Sequence, residues 1–393
     1  MSAAEVIAAR IHREGSIPFD AFMECALYEP DQGFFARGQG AGRAGDDFVT
    51  SPEIGSLFGA CVARAIDRNW DAVGRPDPFL VVEPGAGRGR LARDIRRAAP
   101  ECLAALRYVL VERSPSLRAH QREVLPIEPA DEALGPFALR AAEEELVAVR
   151  AAGPVFASLE DLPEMPVDTF VLANELLDNL PFGIAQWDGA RWDEVRVAVE
   201  GSRFVEILVP ASESDAAALT RVVGGRDLPP RTRLPIPRGV EAWLDECGQA
   251  MHTGVVVLLD YFIDVDELLA RGGDWLRTFR GHERGSEPLD APGTQDITSD
   301  VLRGQVERAA GAAGFSIVAD TTQADWLRDL GLDELVADGR RAWDEGAARG
   351  DLVALAGRSR VAEGAALTDA AGLGAHRVVT LAKPPRTASS EHR

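Results

Sequence analysis

Short unbroken apolar runs, separated by amphipathic stretches, set the pattern of this chain. Residues 79–82 (Phe-Leu-Val-Val) and 108–112 (Tyr-Val-Leu-Val-Glu) flank an Arg-rich segment whose apolar positions recur at helical spacing. A strand buried on both faces shows no alternation, so the two runs predict neighbouring parallel strands joined by a helix. A further buried run stands at 255–259, and strands are also expected at 155–157, 169–172, 315–318 and 378–381. The expectation is an α/β fold with a mostly parallel, Rossmann-like sheet.

Other stretches break that rhythm. From 184 to 210 the period changes to two, with Trp187-Asp188-Gly189-Ala190 predicting one hairpin turn and Glu200-Gly201 a second. In the first 75 residues Val6, Ile7 and Ile11 share a helical face, and 18–27 predicts a helix opening at Pro18. A third helix is expected over 52–71, with Pro52 in its first turn and Thr50 or Ser51 as its cap. The glycine-rich stretch 33–45 predicts a flexible loop, 229–237 a proline-rich linker, 240–252 a helix, and 277–298 a long irregular loop in which Asp296 or Thr298 caps the next helix. The resulting division is a helical region over 1–75, a core over 76–185, an antiparallel insertion and linker over 186–245, the second part of the core over 246–383, and a disordered tail over 384–393.

Bulk properties narrow the function classes. A chain of 393 residues is long for one compact core, so two lobes or a large insertion are expected. The formal net charge of -21 argues against a nucleic-acid groove while tolerating a cationic cofactor or a basic protein substrate. Lys383 is the only lysine, and the arginine bias looks like coding bias. Cys25, Cys61, Cys102 and Cys247 are scattered, with no Cys-x-x-Cys pair and no histidines at metal spacing. Neither a metal site nor a disulfide framework is expected, and a reducing cytoplasm fits. No apolar window of about eighteen residues suggests a membrane helix, and the N-terminus resembles neither a signal nor a transit peptide.

Candidate chemistry begins at 83–89, Glu-Pro-Gly-Ala-Gly-Arg-Gly. Gly85, Gly87 and Gly89 allow a tight turn and close backbone approach by a ligand at a helix N-terminus. Glu112, at the end of the next strand, can accept hydrogen bonds from both hydroxyls of a ribose. A dinucleotide fingerprint needs its third glycine where Arg90 stands, which weakens an NAD reading. Glu83, at the strand end, suits the ammonium and sulfonium end of S-adenosyl-L-methionine (SAM) better than a pyrophosphate. A purely structural glycine turn is the competing account. Ser158 and Leu159, past the third strand, and Thr50 and Ser51 are further cofactor-site candidates. Asn174, Glu175 and Asp178 cluster just past the fourth strand, where this kind of fold places an acceptor; a helix first turn rich in acids would explain them without chemistry.

The segments 45–53, 83–89, 110–121, 174–181, Asp260-Tyr261 and 293–298 occur in one order that resembles the MidA family, also called the NADH dehydrogenase complex I assembly factor 7 family, over roughly residues 15 to 330. The resemblance implies a class I SAM-dependent methyltransferase fold with an added helical N-terminal region. It implies that Gly85, Gly87 and Gly89 contact the cofactor and Glu112 its ribose. Asn174, Glu175, Asp178 and Pro181 match the family's Asn-Glu-Phe-Phe-Asp-Ala-Leu-Pro box. Leu176, Leu177 and Asn179 depart from it, as do Asp46 and Phe262 from the glycines of other boxes. Mitochondrial members are similar to one another in symmetrically dimethylating an arginine of a core complex I subunit, which implies a protein arginine as acceptor.

Guanidinium is a delocalised cation with a pKa above about 12 and a poor nucleophile. Two carboxylates can hold it bidentately and draw charge away from the attacking nitrogen. Glu175 and Asp178 are the expected clamp, with Asn174 orienting the acceptor or the methionine end of SAM. A small-molecule O- or N-methyltransferase and a non-catalytic SAM-binding assembly factor are the alternatives. His282 is expected to be a solvated loop residue, and Trp187 and Trp192 to pack the hairpin.

Overall fold

The apolar runs fold as the middle of a mostly parallel sheet. The computed structural model describes residues 1–37, 50–130, 153–280, 283–348 and 351–385. The strands are β1 (Phe79–Pro84), β2 (Leu106–Val111), β3 (Ile127–Glu128), β4 (Val155–Leu159), β5 (Met165–Asn174), β6 (Met251–Asp260), β7 (Ser316–Thr322) and β8 (Arg377–Lys383). Among the described residues their order is β7-β8-β6-β5-β1-β2-β4-β3. Only β8 runs against the others. Every residue of β1 and β2 is buried, which is why neither shows alternation. β1 lies between β2 and β5, so the chain's direction of travel across the sheet reverses there. The C-terminal ends of β1 and β5 therefore border a topological switch point, where open α/β sheets bind ligands.

This sheet belongs to one of two units, comprising Val49–Glu175, Cys247–Asp260 and Gly314–Arg393. Its core joins Phe79 and Val81 of β1 to Leu57, Phe58 and Ile66 of one helix and Leu91 and Ile95 of another. The helix expected over 52–71 is two helices, Ser51–Ile54 and Ser56–Ala72, broken at Gly55. The expected cap is also different. Thr50 makes no side-chain capping bond. Instead the buried carboxylate of Glu363 accepts the Leu57 N–H at 2.9 Å and occupies the space that a Cβ on Gly55 would need. A remote acid thus satisfies a buried N–H group at the helix N-terminus.

The other unit comprises Met1–Phe48, Leu176–Glu246 and Tyr261–Ala313. Both expected hairpins are present: Gly183–Trp187 pairs with Trp192–Glu200, which pairs with Arg203–Pro210. Trp187 and Trp192 face each other across the first, with ring centroids 5.2 Å apart. Three expectations are corrected here. The hairpins are no isolated insertion, because Ile17–Pro18 extends their sheet and Phe19, Phe22, Val195, Val197 and Trp275 share one core; the first 75 residues are divided accordingly. The 229–237 stretch holds strand Arg233–Ile236, which pairs with Gly183–Trp187 and tolerates Pro235 because it lies at the sheet edge. In the 277–298 stretch, Leu276–Arg280 and Asp296–Ser299 pair antiparallel, so Asp296 and Thr298 are strand residues and not helix caps.

One glycine of the central sheet is required. Gly254 sits opposite Thr169 on β5 with φ +133°, and a Cβ there would lie 2.1 Å from the Thr169 carbonyl oxygen. Gly254→Ala combines a clash with rigid backbone and a disfavoured φ. It should destabilise the protein by about 3 kcal/mol in denaturant unfolding; a loss below about 1 kcal/mol would contradict the geometry.

Candidate functional site

At the end of β1 the chain carries Glu83, buried and 5% exposed, where the Tyr108 hydroxyl donates to its Oε2 at 2.7 Å. Burial raises the Glu83 pKa to about 8, against the opposing hydrogen bond from Tyr108 and with a smaller push from the Glu112 charge. The carboxyl is therefore largely neutral at pH 7. Tyr108 lies on β2, two residues before Leu110, which pairs with Glu83. Alternation along β2 places both side chains on one face of the sheet.

The turn that follows uses glycine at three positive-φ positions: Gly85 (+69°), Gly87 (+51°) and Gly89 (+75°). Gly87 has open space where a Cβ would stand, whereas at Gly89 it would meet Leu110 and Gln121 at 3.0 and 3.3 Å. Gly87 admits a ligand; Gly89 admits helix packing. The Gly87 N–H donates to Glu112 Oε2 at 3.0 Å, and the Ser114 N–H donates to its Oε1 at 2.8 Å. Burial pushes the Glu112 pKa up, and these two N–H groups pull against it. Arg90, which displaced the dinucleotide pattern's third glycine, bonds the buried carboxylate of Glu53.

Ser158 and Leu159 end β4 beside this turn, and both are bonded to residues that support it. The Ser158 hydroxyl donates to Gln121 Oε1 at 2.6 Å, and the Leu159 carbonyl accepts the Glu112 N–H at 2.9 Å. Ser51 is likewise engaged, its hydroxyl donating to Gln323 Oε1 at 2.9 Å. Tyr108 and Gln121 are the structural partners that reasoning from residue type assigned no role. The signal for Tyr108 was a phenol one alternation step below the row of Glu83.

Asn174 ends β5 at the same sheet edge, followed by Glu175 with φ +51°. A carboxylate residue in the left-handed region is strained, and such strain concentrates at functional sites. Glu175 is held by its N–H on the Leu259 carbonyl at 2.8 Å, while its Oε1 accepts from the Ser51 N–H at 3.3 Å and from Asn174 Nδ2 at 3.4 Å. Asn174 Oδ1 is buried with no hydrogen-bond partner among the described residues.

Asp178, the second half of the expected clamp, falls in the other unit, whose boundary lies after Glu175. Thr298 donates to its Oδ2 at 2.7 Å, and burial raises its pKa to about 6 against that bond and the charge of Arg277. The neighbouring Asn179 amide donates to Asp296 Oδ1 and the Ile297 carbonyl. His282 and the Gly45 and Asp46 positions lie outside the described residues. Among the described residues no cluster of His, Cys, Asp or Glu could hold a metal ion.

A family of putative S-adenosyl-L-methionine-dependent methyltransferases matches residues 61–319, well over half of the chain. The chain belongs to this methyltransferase family. Protein arginine methyltransferase NDUFAF7 homolog, mitochondrial, of Drosophila melanogaster is 29% identical over 313 residues, spanning 76% of this chain and 68% of that protein. The human protein arginine methyltransferase NDUFAF7, mitochondrial, is 28% identical over 341 residues, spanning 82% of this chain and 72% of its own length. A COG1565 superfamily member from Burkholderia thailandensis, described as a likely methyl transferase and solved with S-adenosyl-homocysteine (SAH) bound, superposes with a TM-score of 0.78 at 26% identity, covering 97% of this chain and 92% of that one.

The residues present fit SAM. A methyltransferase turn must receive a nucleoside with a cationic tail, and this one offers an unfilled approach at Gly87, a ribose-competent acid at Glu112, a buried carboxyl at Glu83 and the orphaned Asn174 carbonyl oxygen. Glu112 would hold the ribose hydroxyls, while Glu83 and Asn174 would accept from the ammonium end.

The buried Glu83 makes stability of the cofactor-free protein pH-dependent. A folded-state pKa of about 8, against 4.5 for the ordinary value, means the folded protein holds this proton in a range where the unfolded chain has lost it. Its contribution is present below pH 4.5 and is lost as pH rises toward 8. Glu83→Gln should therefore gain thermal stability relative to the parent as pH is raised through that interval. A constant Tm difference across it would show that the carboxyl is not buried neutral.

Proposed function

We propose that this methyltransferase acts on an arginine side chain of a protein, and that Glu175 is the carboxylate that orients it. The carrying observation is Glu175 itself: an acid in the left-handed region at the C-terminal end of β5, beside the switch point. The contacts of its Oε1 with the Ser51 N–H and the Asn174 amide are longer than a normal charge-assisted bond. A guanidinium donor can replace them with shorter ones. The names of two relatives, protein arginine methyltransferases of Drosophila melanogaster and human, support the same acceptor class.

Arginine methylation asks two things of a protein. The attacking nitrogen must be placed in line with the bond being broken, and its lone pair must be made available. A carboxylate bonded to one side of the guanidinium draws positive charge toward itself, leaving the opposite nitrogen more electron-rich. Glu175 supplies that carboxylate. Asn174, whose Nδ2 already faces it, fixes its rotation. SAM would supply an electrophilic methyl on a sulfonium: as the nitrogen–methyl bond forms the sulfur–methyl bond breaks, SAH leaves as a neutral thioether, and the attacking nitrogen gives up one proton to solvent. This reading rests on Glu175 alone; Asp178, the other carboxylate of the expected clamp, accepts from Thr298 within its own unit.

The test is incubation of the protein with labelled SAM in lysate from a strain lacking it, followed by mass spectrometry of the labelled species. Label on a protein arginine is expected, and the complex I core subunit implied by the family resemblance is the first protein to look for. Label confined to small molecules would overturn the reading, and tight SAM binding without any labelled product would favour a non-catalytic assembly role. With the acceptor in hand, Glu175→Gln should lower kcat by about a hundredfold, the scale of losing one oriented electrostatic group, while SAH affinity stays within about twofold of the parent.

A further inference from the structure

We propose that Gln121 is a positioning residue that sets the glycine turn for cofactor binding, with Ser158 as the group that orients it. The proposal rests on the assignment of this turn to SAM.

Gln121 lies on helix Pro115–Val124 and is fully buried. A buried amide at that depth must find partners for both ends, and both are found. Its Nε2 donates to the Gly87 carbonyl at 2.8 Å, and its Oε1 accepts from the Ser158 hydroxyl at 2.6 Å. The orientation is unambiguous, because a carbonyl oxygen only accepts, so the nitrogen must face Gly87.

Gly87 is thereby fixed on both sides. Its N–H is taken by Glu112 and its carbonyl by Gln121, so the peptide planes before and after it are both held. This is the residue at φ +51° with open space in place of a side chain. The Gln121 stem also packs where a Cβ on Gly89 would stand, at 3.3 Å. One side chain therefore contacts the turn at two of its three glycines. Its helix begins at Ser114, whose N–H is on Glu112 and whose hydroxyl caps Leu117. The ribose acid and the turn's support are thus placed by the same few residues. A turn already held in its ligand-ready shape loses less conformational freedom on binding, and affinity rises accordingly.

SAH binding measured by calorimetry on the full chain tests this without knowledge of the acceptor. Gln121→Met keeps the volume and removes both bonds; SAH should bind about tenfold more weakly. Ser158→Ala should cost about threefold, and adding it to Gln121→Met should cost nothing further, because the two act through one bond chain. Gln121→Glu carries the signature that mere packing would not produce. As a carboxylate it opposes the Gly87 carbonyl, but protonated it can donate to that oxygen while accepting from Ser158, so its deficit relative to the parent at the same pH should shrink as pH is lowered. Parent-like affinity in Gln121→Met or Ser158→Ala, or a pH-independent deficit in Gln121→Glu, would overturn the proposal. Should Gln121→Met not fold, Ser158→Ala and Gln121→Glu decide it. No SAH binding by the parent would overturn the cofactor assignment itself, a result distinct from unchanged variants of a binding-competent parent.

Discussion

The burial of β1 between two parallel neighbours is the constraint from which the site follows. Inside the sheet its backbone groups are satisfied by β2 and β5. Past Pro84 that ladder ends, and each polar group of the turn needs another partner. The Val111 carbonyl accepts the Ala86 N–H, the Ala86 carbonyl accepts the Gly89 N–H, Glu112 accepts that of Gly87, and the Gln121 amide donates to the Gly87 carbonyl. Apart from Ala86 in the turn itself, the partners come from the end of β2, the residue that follows it and the next helix. The cofactor turn is therefore built by the second strand as much as by the first, and its shape depends on that strand's register.

Electrostatics along this edge is arranged by three different means. Glu83 is kept neutral by burial and a phenol, Glu112 is offset by two backbone N–H groups, and Glu175 rests on the Ser51 N–H. Leaving three carboxylates ionised and unpaired at one sheet edge would be costly in a partly desolvated setting. Each has instead an internal partner that a cationic ligand can complement or replace. The acidic edge suits a sulfonium cofactor and a guanidinium acceptor, and the net charge of -21 matches both.

Much of the parallel sheet was legible because burial on both faces leaves a mark in composition: apolar runs without alternation. The glycine turn and Glu112 were legible because few structural reasons place those residue types at those spacings. What was not legible depended on distance in sequence. Glu363 as the cap of a helix more than three hundred residues earlier, Gln323 as the partner of Ser51, and the pairing of Asp296–Ser299 with Leu276–Arg280 are all set by tertiary contact. That last strand pair was hidden because buried polar residues such as Thr278, Asp296 and Thr298 break the apolar alternation by which half-buried strands are recognised. Ser158 shows the subtler limit: its place at the sheet edge was legible, but the side chain it bonds was not.

The segment 174–181 reads as one motif yet serves two structural purposes. Asn174 and Glu175 complete β5, whereas Leu177–Asn179 forms a single 3-10 turn in the other unit, tied down through Asp178 to Thr298 and through Asn179 to Asp296 and Ile297. The departures from the family's box fall on the second part. Leu177 is 2% exposed, so leucine for phenylalanine there is a change in core packing. Asn179 in place of alanine adds two hydrogen bonds that anchor the same turn. Neither alters the acid at the strand end. Asn174 and Glu175 match the box at the strand end, as Asp178 and Pro181 do beyond it; the proposed acceptor chemistry rests on the strand end, and the departures fall in the unit that follows.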